Sequence, residues 1–214
     1  MTAGRSGAHR RALVWPTVIA LPALAALIGL GAWQLERRVW KAELIAARTE
    51  RLALPPLGPE DLARPAAELV FRRIRLDGRF LHDRETLVQP RTLNGPPSPA
   101  GPWGAGDAGA HVVTPFALDG GARAAATVLV DRGWVPQDRR DPATRRAGQI
   151  GGQNGGTLAI AGIVAPGGRA SGWVPDNDPA RDAWYYVDPA AIAAARGLGP
   201  VPNLVVEADS APVA

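Results

Sequence analysis

The sequence predicts an α+β protein: an N-terminal transmembrane helix followed by a mostly antiparallel β domain with one short helix. Three observations predict it. Residues 12–35 carry no charged side chain. Beyond Pro55-Pro56, short apolar runs recur between clusters of Gly, Pro, Asn and Asp, the pattern of strands and turns. A helix-start signature, Asp188-Pro189, opens the run "AAIAAAR".

Taken in order, residues 1–11 read as a basic tail, 12–35 as the membrane helix, 36–54 as a polar juxtamembrane helix and 55–214 as the β-rich domain. The charge-free run is roughly 30 Å or more as a helix, enough to cross a bilayer. Trp15 and Trp33 lie near its ends, about 27 Å apart along a helix, the spacing of an aromatic belt. A cleaved signal would have a shorter apolar stretch and a small-residue cleavage site; here bulky Trp33 and charged "ERR" follow, so an uncleaved anchor is expected. Pro16 and Pro22 fall near the start, where few backbone bonds are lost. Arg5, Arg10 and Arg11 precede the run, and Arg37, Arg38 and Lys41 follow it, so basic residues alone leave its orientation open.

After the membrane run, "QLERRVWKAELIAARTERL" continues as a polar helix until Pro55-Pro56 stops it. The period then changes. "VFRRIRLDGRF" alternates Ile74 and Leu76 against Arg73 and Arg75. "ETLVQPRT", "HVVTPFAL", "TVLVDRGWVP", "TLAIAGIVAP" and "NLVVEA" read as further strands. Asp188 is the expected N-cap, Pro189 the first helical residue, and Gly197 the left-handed terminator. "WYYVD" reads as a short strand delivering the chain to that cap, and "PDNDPARD" as the turn before it.

The 214 residues contain no Cys, which excludes disulfides and thiolate metal sites. The 24 basic residues exceed the 20 acidic ones by four, spread along the chain, so no nucleic-acid face is indicated. "GAGDAG" at 104–109 matches a dinucleotide fingerprint, but it has no strand before it and no helix after it. The acidic stretch from Asp176 fails as a calcium loop: its fifth, sixth and twelfth positions are Ala180, Arg181 and Val187. No catalytic residues and no metal site are expected, since no nucleophile–base constellation stands out.

His82 and His111 lie beside predicted strands; His82 is the candidate cofactor ligand, although one His is too few for most metal sites. Arg91, Arg132, Trp103, Trp134, Trp173 and Trp184 sit at strand ends and turns. Core packing and solvation account for some of these; the others suit a binding face, where Trp and Arg concentrate and Arg pairs with carboxylates.

"LGAWQLERRVWKAELI", "GRFLHDRETLVQPRT", "HVVTPF", "VLVDRGWVP", "RRAGQIGG" and "PDNDPARDAWYYVD" occur in the order seen in the Surfeit locus protein 1 family, which the chain resembles from about Gly29 to Asp209. The resemblance implies a domain outside the inner membrane, in the periplasm or the mitochondrial intermembrane space, with a cytoplasmic N-terminus. It implies a factor that assists assembly of haem-copper terminal oxidases, with haem a as cofactor or cargo. Implied partners are oxidase subunit I, other oxidase assembly factors and the lipid bilayer, and no nucleic acid. The family's proposed haem ligand is a His on a second membrane helix; no second hydrophobic run occurs before Ala214, so that role passes to no residue here. Partner or membrane-interface candidates are Trp33, Gln34, Arg37, Arg38, Arg91, Arg132, Trp134, Asp176, Asn177, Asp178 and Trp184. Two functions stay open: an assembly factor that helps position haem, and a membrane-anchored interaction domain without cofactor contact.

Overall fold

A computed structural model describes residues 6–92, 107–120, 126–148, 157–168, 172 and 174–209. It divides into two units, residues 1–50 and 51–214. The first is one helix, α1, which runs from Ser6 to Ala53 without a break where the charged residues begin. Its described large apolar side chains, among them Trp15, Leu24, Ile28 and Trp33, are exposed. The helix ends just before Pro55-Pro56, where the missing N–H and fixed φ forbid another turn.

The second unit is a barrel. The short helix α2 (Ala66–Leu69) precedes β1 (Arg73–Phe80), which is followed by β2 (Thr86–Thr92), β3 (Ala108–Leu118), β4 (Thr127–Pro136), β5 (Leu158–Pro166), helix α3 (Pro189–Ala195) and β6 (Leu204–Ala208). Of the seven runs read as strands, six are strands and "WYYVD" is not. They pair in the order β1-β5-β6-β4-β3-β2, and β1 also pairs with β3. That extra pairing closes β1, β5, β6, β4 and β3 into a ring. Every pair is antiparallel except β4–β6. A closed ring leaves no unpaired edge among its members.

One edge of β3 serves two strands in succession. Its N-terminal part pairs with β2, from Thr92↔Ala108 to Thr86↔Val113, and its C-terminal part with β1, from Phe80↔Phe116 to Gly78↔Leu118. The chain passes between them through a 3-10 turn at His82–Arg84, so residues 81–85 lie at a break in the wall.

Two apolar clusters follow from strand alternation. Ile74, Leu76 and Phe80 of β1 join Phe116, Val128, Val130, Val164 and Val206 inside the ring, while Arg73, Arg75, Asp77 and Arg79 point out. Val88, Val113, Leu129 and Val205, on the opposite face, are covered by Trp184 and by Ile192 of α3. The helix begins as its sequence indicates: Asp188 accepts from the Ala191 N–H at 3.0 Å and Pro189 occupies the first turn. Gly197 ends it at φ +62°, which costs a residue without Cβ nothing.

Candidate functional site

Strands β3 and β4 carry an irregularity that shapes the site. His111 pairs with Trp134 and Val113 with Asp131, so Arg132 and Gly133 together face the single residue Val112. This bulge needs φ +105° at Gly133, a conformation that only glycine adopts without strain. It also turns the Asp131 carboxylate back on the chain: Oδ1 accepts from the Gly133 N–H at 2.8 Å and Oδ2 lies 2.7 Å from His111 Nδ1. The His111 side chain is 36% exposed and that of Asp131 is 14% exposed. A carboxylate only accepts, so Nδ1 carries the proton and Nε2 of the neutral ring keeps its lone pair. Beside them the Trp134 indole closes over Gly109, where a Cβ would strike the ring. Arg91 is placed across from Gly109 by the β2–β3 register.

The neighbouring bulge residue, Arg132, goes the other way. Its guanidinium lies 4.9 Å from the centre of the Phe80 ring, and its Nη1 is 3.3 Å from His82 Nδ1. Burial holds the Arg132 pKa below the usual range; the nearby Arg145 adds to this and Glu85 opposes it. Glu85 is clamped by Arg145, with Nη2 at 2.6 Å and Nη1 at 3.4 Å, and the two side chains are 8% and 10% exposed. These groups gather at the break between β1 and β2. His82, the sequence candidate for cofactor ligation, lies among them. A guanidinium only donates, so His82 Nδ1 accepts and the proton of the neutral ring sits on Nε2, which is shielded from solvent. His82 packs 5.5 Å from Phe80 and lies against Arg132.

The acidic stretch resolves into a turn with a different keystone. Asp178 caps a 3-10 turn, Pro179–Arg181, accepting from Ala180 N and Arg181 N at 3.1 and 3.3 Å, and Arg181 pairs with it at 3.6 Å. Asp176, a partner-interface candidate, is exposed and makes no hydrogen bond within the described residues. Asn177 does that work: its Oδ1 accepts from Tyr185 N at 2.8 Å and Tyr186 N at 3.3 Å, and its Nδ2 donates to Tyr186 O at 3.1 Å. This side chain stands in for a neighbouring strand, which is why "WYYVD" makes bends and an isolated Val88–Trp184 bridge instead of the expected strand. Trp184 is fully buried, so it belongs to the core and not to a partner face. Asn177→Ala is expected to cost about 1–3 kcal/mol, and Asp176→Asn less than about 0.5 kcal/mol, in chemical denaturation of the full chain. Equal losses would contradict this assignment.

Trp33, Gln34, Arg37 and Arg38 lie exposed on α1, where the Arg37 guanidinium sits 4.0 Å over the Trp40 ring. Trp103, Trp173 and residues 104–106 of the glycine-rich stretch lie outside the described residues. Of the sequence candidates, only Trp134 and, by register, Arg91 come beside the His111–Asp131 pair. That pair escapes sequence reading because its members are twenty residues apart and meet only through strand pairing. Among the described residues no three His, Cys, Asp or Glu side chains converge.

The model of the SURF1 family matches residues 21–214, the later part of α1 and the whole barrel. The chain belongs to the SURF1 family. It is 35% identical over 187 residues to mouse Surfeit locus protein 1, covering 86% of this chain and 58% of the mouse protein. It is 35% identical over 178 residues to the human Surfeit locus protein 1, covering 81% and 57%. A SURF1-like protein of Monosiga brevicollis is 38% identical over 177 residues, covering 81% and 63%. The chain thus spans about three fifths of the length of these curated relatives. The SURF1 match takes in the bulge, the His111–Asp131 pair and the Asn177 turn together. Residues 18–53 also hold one helix long and apolar enough to cross a membrane.

Proposed function

We propose that this SURF1-family chain is a membrane-anchored assembly factor for a haem-copper terminal oxidase. It acts on nascent subunit I, and on the haem a that subunit receives, from the periplasmic side of the inner membrane. In a eukaryote the corresponding site is the intermembrane-space side of the mitochondrial inner membrane. Family membership across both α1 and the barrel carries this reading. The anchor supports it: α1 exposes an apolar surface suited to lipid, and Trp33 and the Arg37–Trp40 pair suit its interfacial end. The barrel supports it too, as a rigid frame that holds polar and aromatic groups at fixed positions.

The residues of the barrel fit haem at one point. An imidazole whose Nδ1–H is fixed on a carboxylate is the form of His that ligates iron, and His111 has that form. Haem would bring redox-active iron, and this chain's part would be to hold it for transfer.

The test is complementation. In cells lacking their own SURF1-family protein, expression of the full chain is expected to restore oxidase activity and the haem a absorbance of isolated membranes. No change in either, with the chain present in the membrane fraction, would overturn the assembly role.

A further inference from the structure

The later half of α1 is rich in charge, yet its charges do not support the helix that carries them. An exposed polar helix is normally held by opposite charges three or four residues apart. From residue 36 to residue 53 there are none. The charged pairs at that spacing are Arg37 with Lys41, Arg38 with Lys41 and Arg48 with Arg51, all of like sign, and such pairs repel. Glu36, Arg38 and Glu43 make no ion pair among the described residues. The helix nevertheless runs unbroken to Ala53 with its side chains exposed. Its charges are placed for something outside it.

The uncharged residues of this stretch share one seam. Leu35, Val39, Ala42, Ala46, Thr49 and Ala53 alternate spacings of four and three, the a and d positions of a heptad. Thr49 fits among them because its hydroxyl is already satisfied, donating to the Ile45 carbonyl at 2.8 Å. The same spacing runs back through Val18, Leu21, Ala25, Ile28 and Ala32 of the apolar half. Val39, the large apolar residue at the middle of the charged half, is 60% exposed, so nothing in the chain covers the seam there. Alanines on a seam let two backbones approach closely, in lipid as in water. The flanks state what the partner is. Position e is Glu in three successive heptads, Glu36, Glu43 and Glu50, and the g positions are Arg38, Ile45 and Leu52. In a parallel helix pair, g lies against e of the next heptad on the other helix. Arg38 then meets Glu43 of a second copy, and Glu43 meets Arg38 of that copy. An antiparallel pair would set Glu against Glu. Two copies inserted into one membrane in the same direction meet parallel.

We propose that α1 is a pairing surface for a second copy of this chain, parallel and in register, with Val39, Ala42 and Ala46 at its centre and Arg38–Glu43 ion pairs along its rim. One surface carries both halves of the ion pair, the self-complementarity that a two-fold dimer requires. The inference stands apart from what the barrel acts on.

The chain has no Cys, so single cysteines report contact directly. The full chain is expressed in membranes, oxidised with copper–phenanthroline and run on a non-reducing gel. Val39→Cys, Ala42→Cys and Ala46→Cys are expected to give disulfide-linked dimers. Lys41→Cys and Leu44→Cys, on the far side of the helix, are expected to give none, because only an in-register parallel pair brings like positions within disulfide reach. Energy transfer between labelled copies in lipid vesicles measures the rim. Arg38→Glu is expected to weaken association about fivefold or more, and Arg38→Glu with Glu43→Arg to restore it. Absence of dimers at 39, 42 and 46 overturns the proposal. So do equal yields at all five positions, which would mark random collision. Cross-links from 39, 42 and 46 that run only to a different protein would assign the seam to a foreign helix and overturn it too.

Discussion

Replacing Trp184 by alanine is expected to remove about 3–5 kcal/mol of stability from the barrel, a large part of the roughly 5–15 kcal/mol typical of a domain. The residue is fully buried among Val88, Val113, Leu129, Ile192 and Val205. Its loss would open a cavity between the outer face of the sheet and α3. Polar contacts go with it: the indole Nε1 donates to Asp182 at 2.7 Å, and that carboxylate also holds Arg196 at 2.5 Å, which in turn bonds to buried Thr86 at 2.9 Å. Trp184→Phe should keep most of the packing and cost less, about 1–2 kcal/mol, because Asp182 retains Arg196. Denaturant midpoints of the full chain measure both. An alanine variant that unfolds together with the wild type would show that this ring does not carry the outer core.

Glu85→Ala is expected to cost about 3–5 kcal/mol, because it leaves the buried Arg145 cation without its counter-charge. The loss should fall toward the lower end of that range, since Arg145 still donates to the Arg139 and Arg140 carbonyls at 2.7 and 3.0 Å. Arg132 adds to the cost: Glu85 is the group that favours its charged form, and Arg145 already opposes it. The double replacement Glu85→Leu, Arg145→Met should come out much closer to the wild type than the single one. Added salt should rescue neither, because the pair is too buried to be screened. A double variant as unstable as Glu85→Ala would mean that the pair's own attraction, and not the unpaired charge, sets the loss.

The strands were legible because their alternation is local. β1 shows it residue by residue, with Ile74, Leu76 and Phe80 in and the arginines out. The start of α3 was legible for the same reason: Asp188, Pro189 and Gly197 act within one turn of their own positions. What could not be read is set by pairing between distant segments. Ring closure depends on Phe80 meeting Phe116, and the candidate site depends on His111 meeting Asp131 across a bulge. The acidic stretch misled by its charge. Carboxylates draw attention, but an ionised carboxylate cannot donate, and the Asn177 amide both donates to and accepts from one backbone segment. Likewise, the Arg-rich "DRGWVP" reads as one patch in sequence, whereas the bulge sends Arg132 toward Phe80 while Asp131 turns to His111.

The position of β6 has a consequence for how the protein comes into being. This five-residue strand is the wedge between β5 and β4, and it supplies the one parallel pairing of the ring. β1, which also pairs with β5, is made more than a hundred residues earlier. Until Ala208 has emerged from the ribosome, β4 and β5 each present an unpaired strand edge that has no local partner. A topology of such high contact order folds slowly and late. The nascent barrel is then most open to misassociation and proteolysis while its helical N-terminus is already able to engage lipid, so anchoring precedes folding.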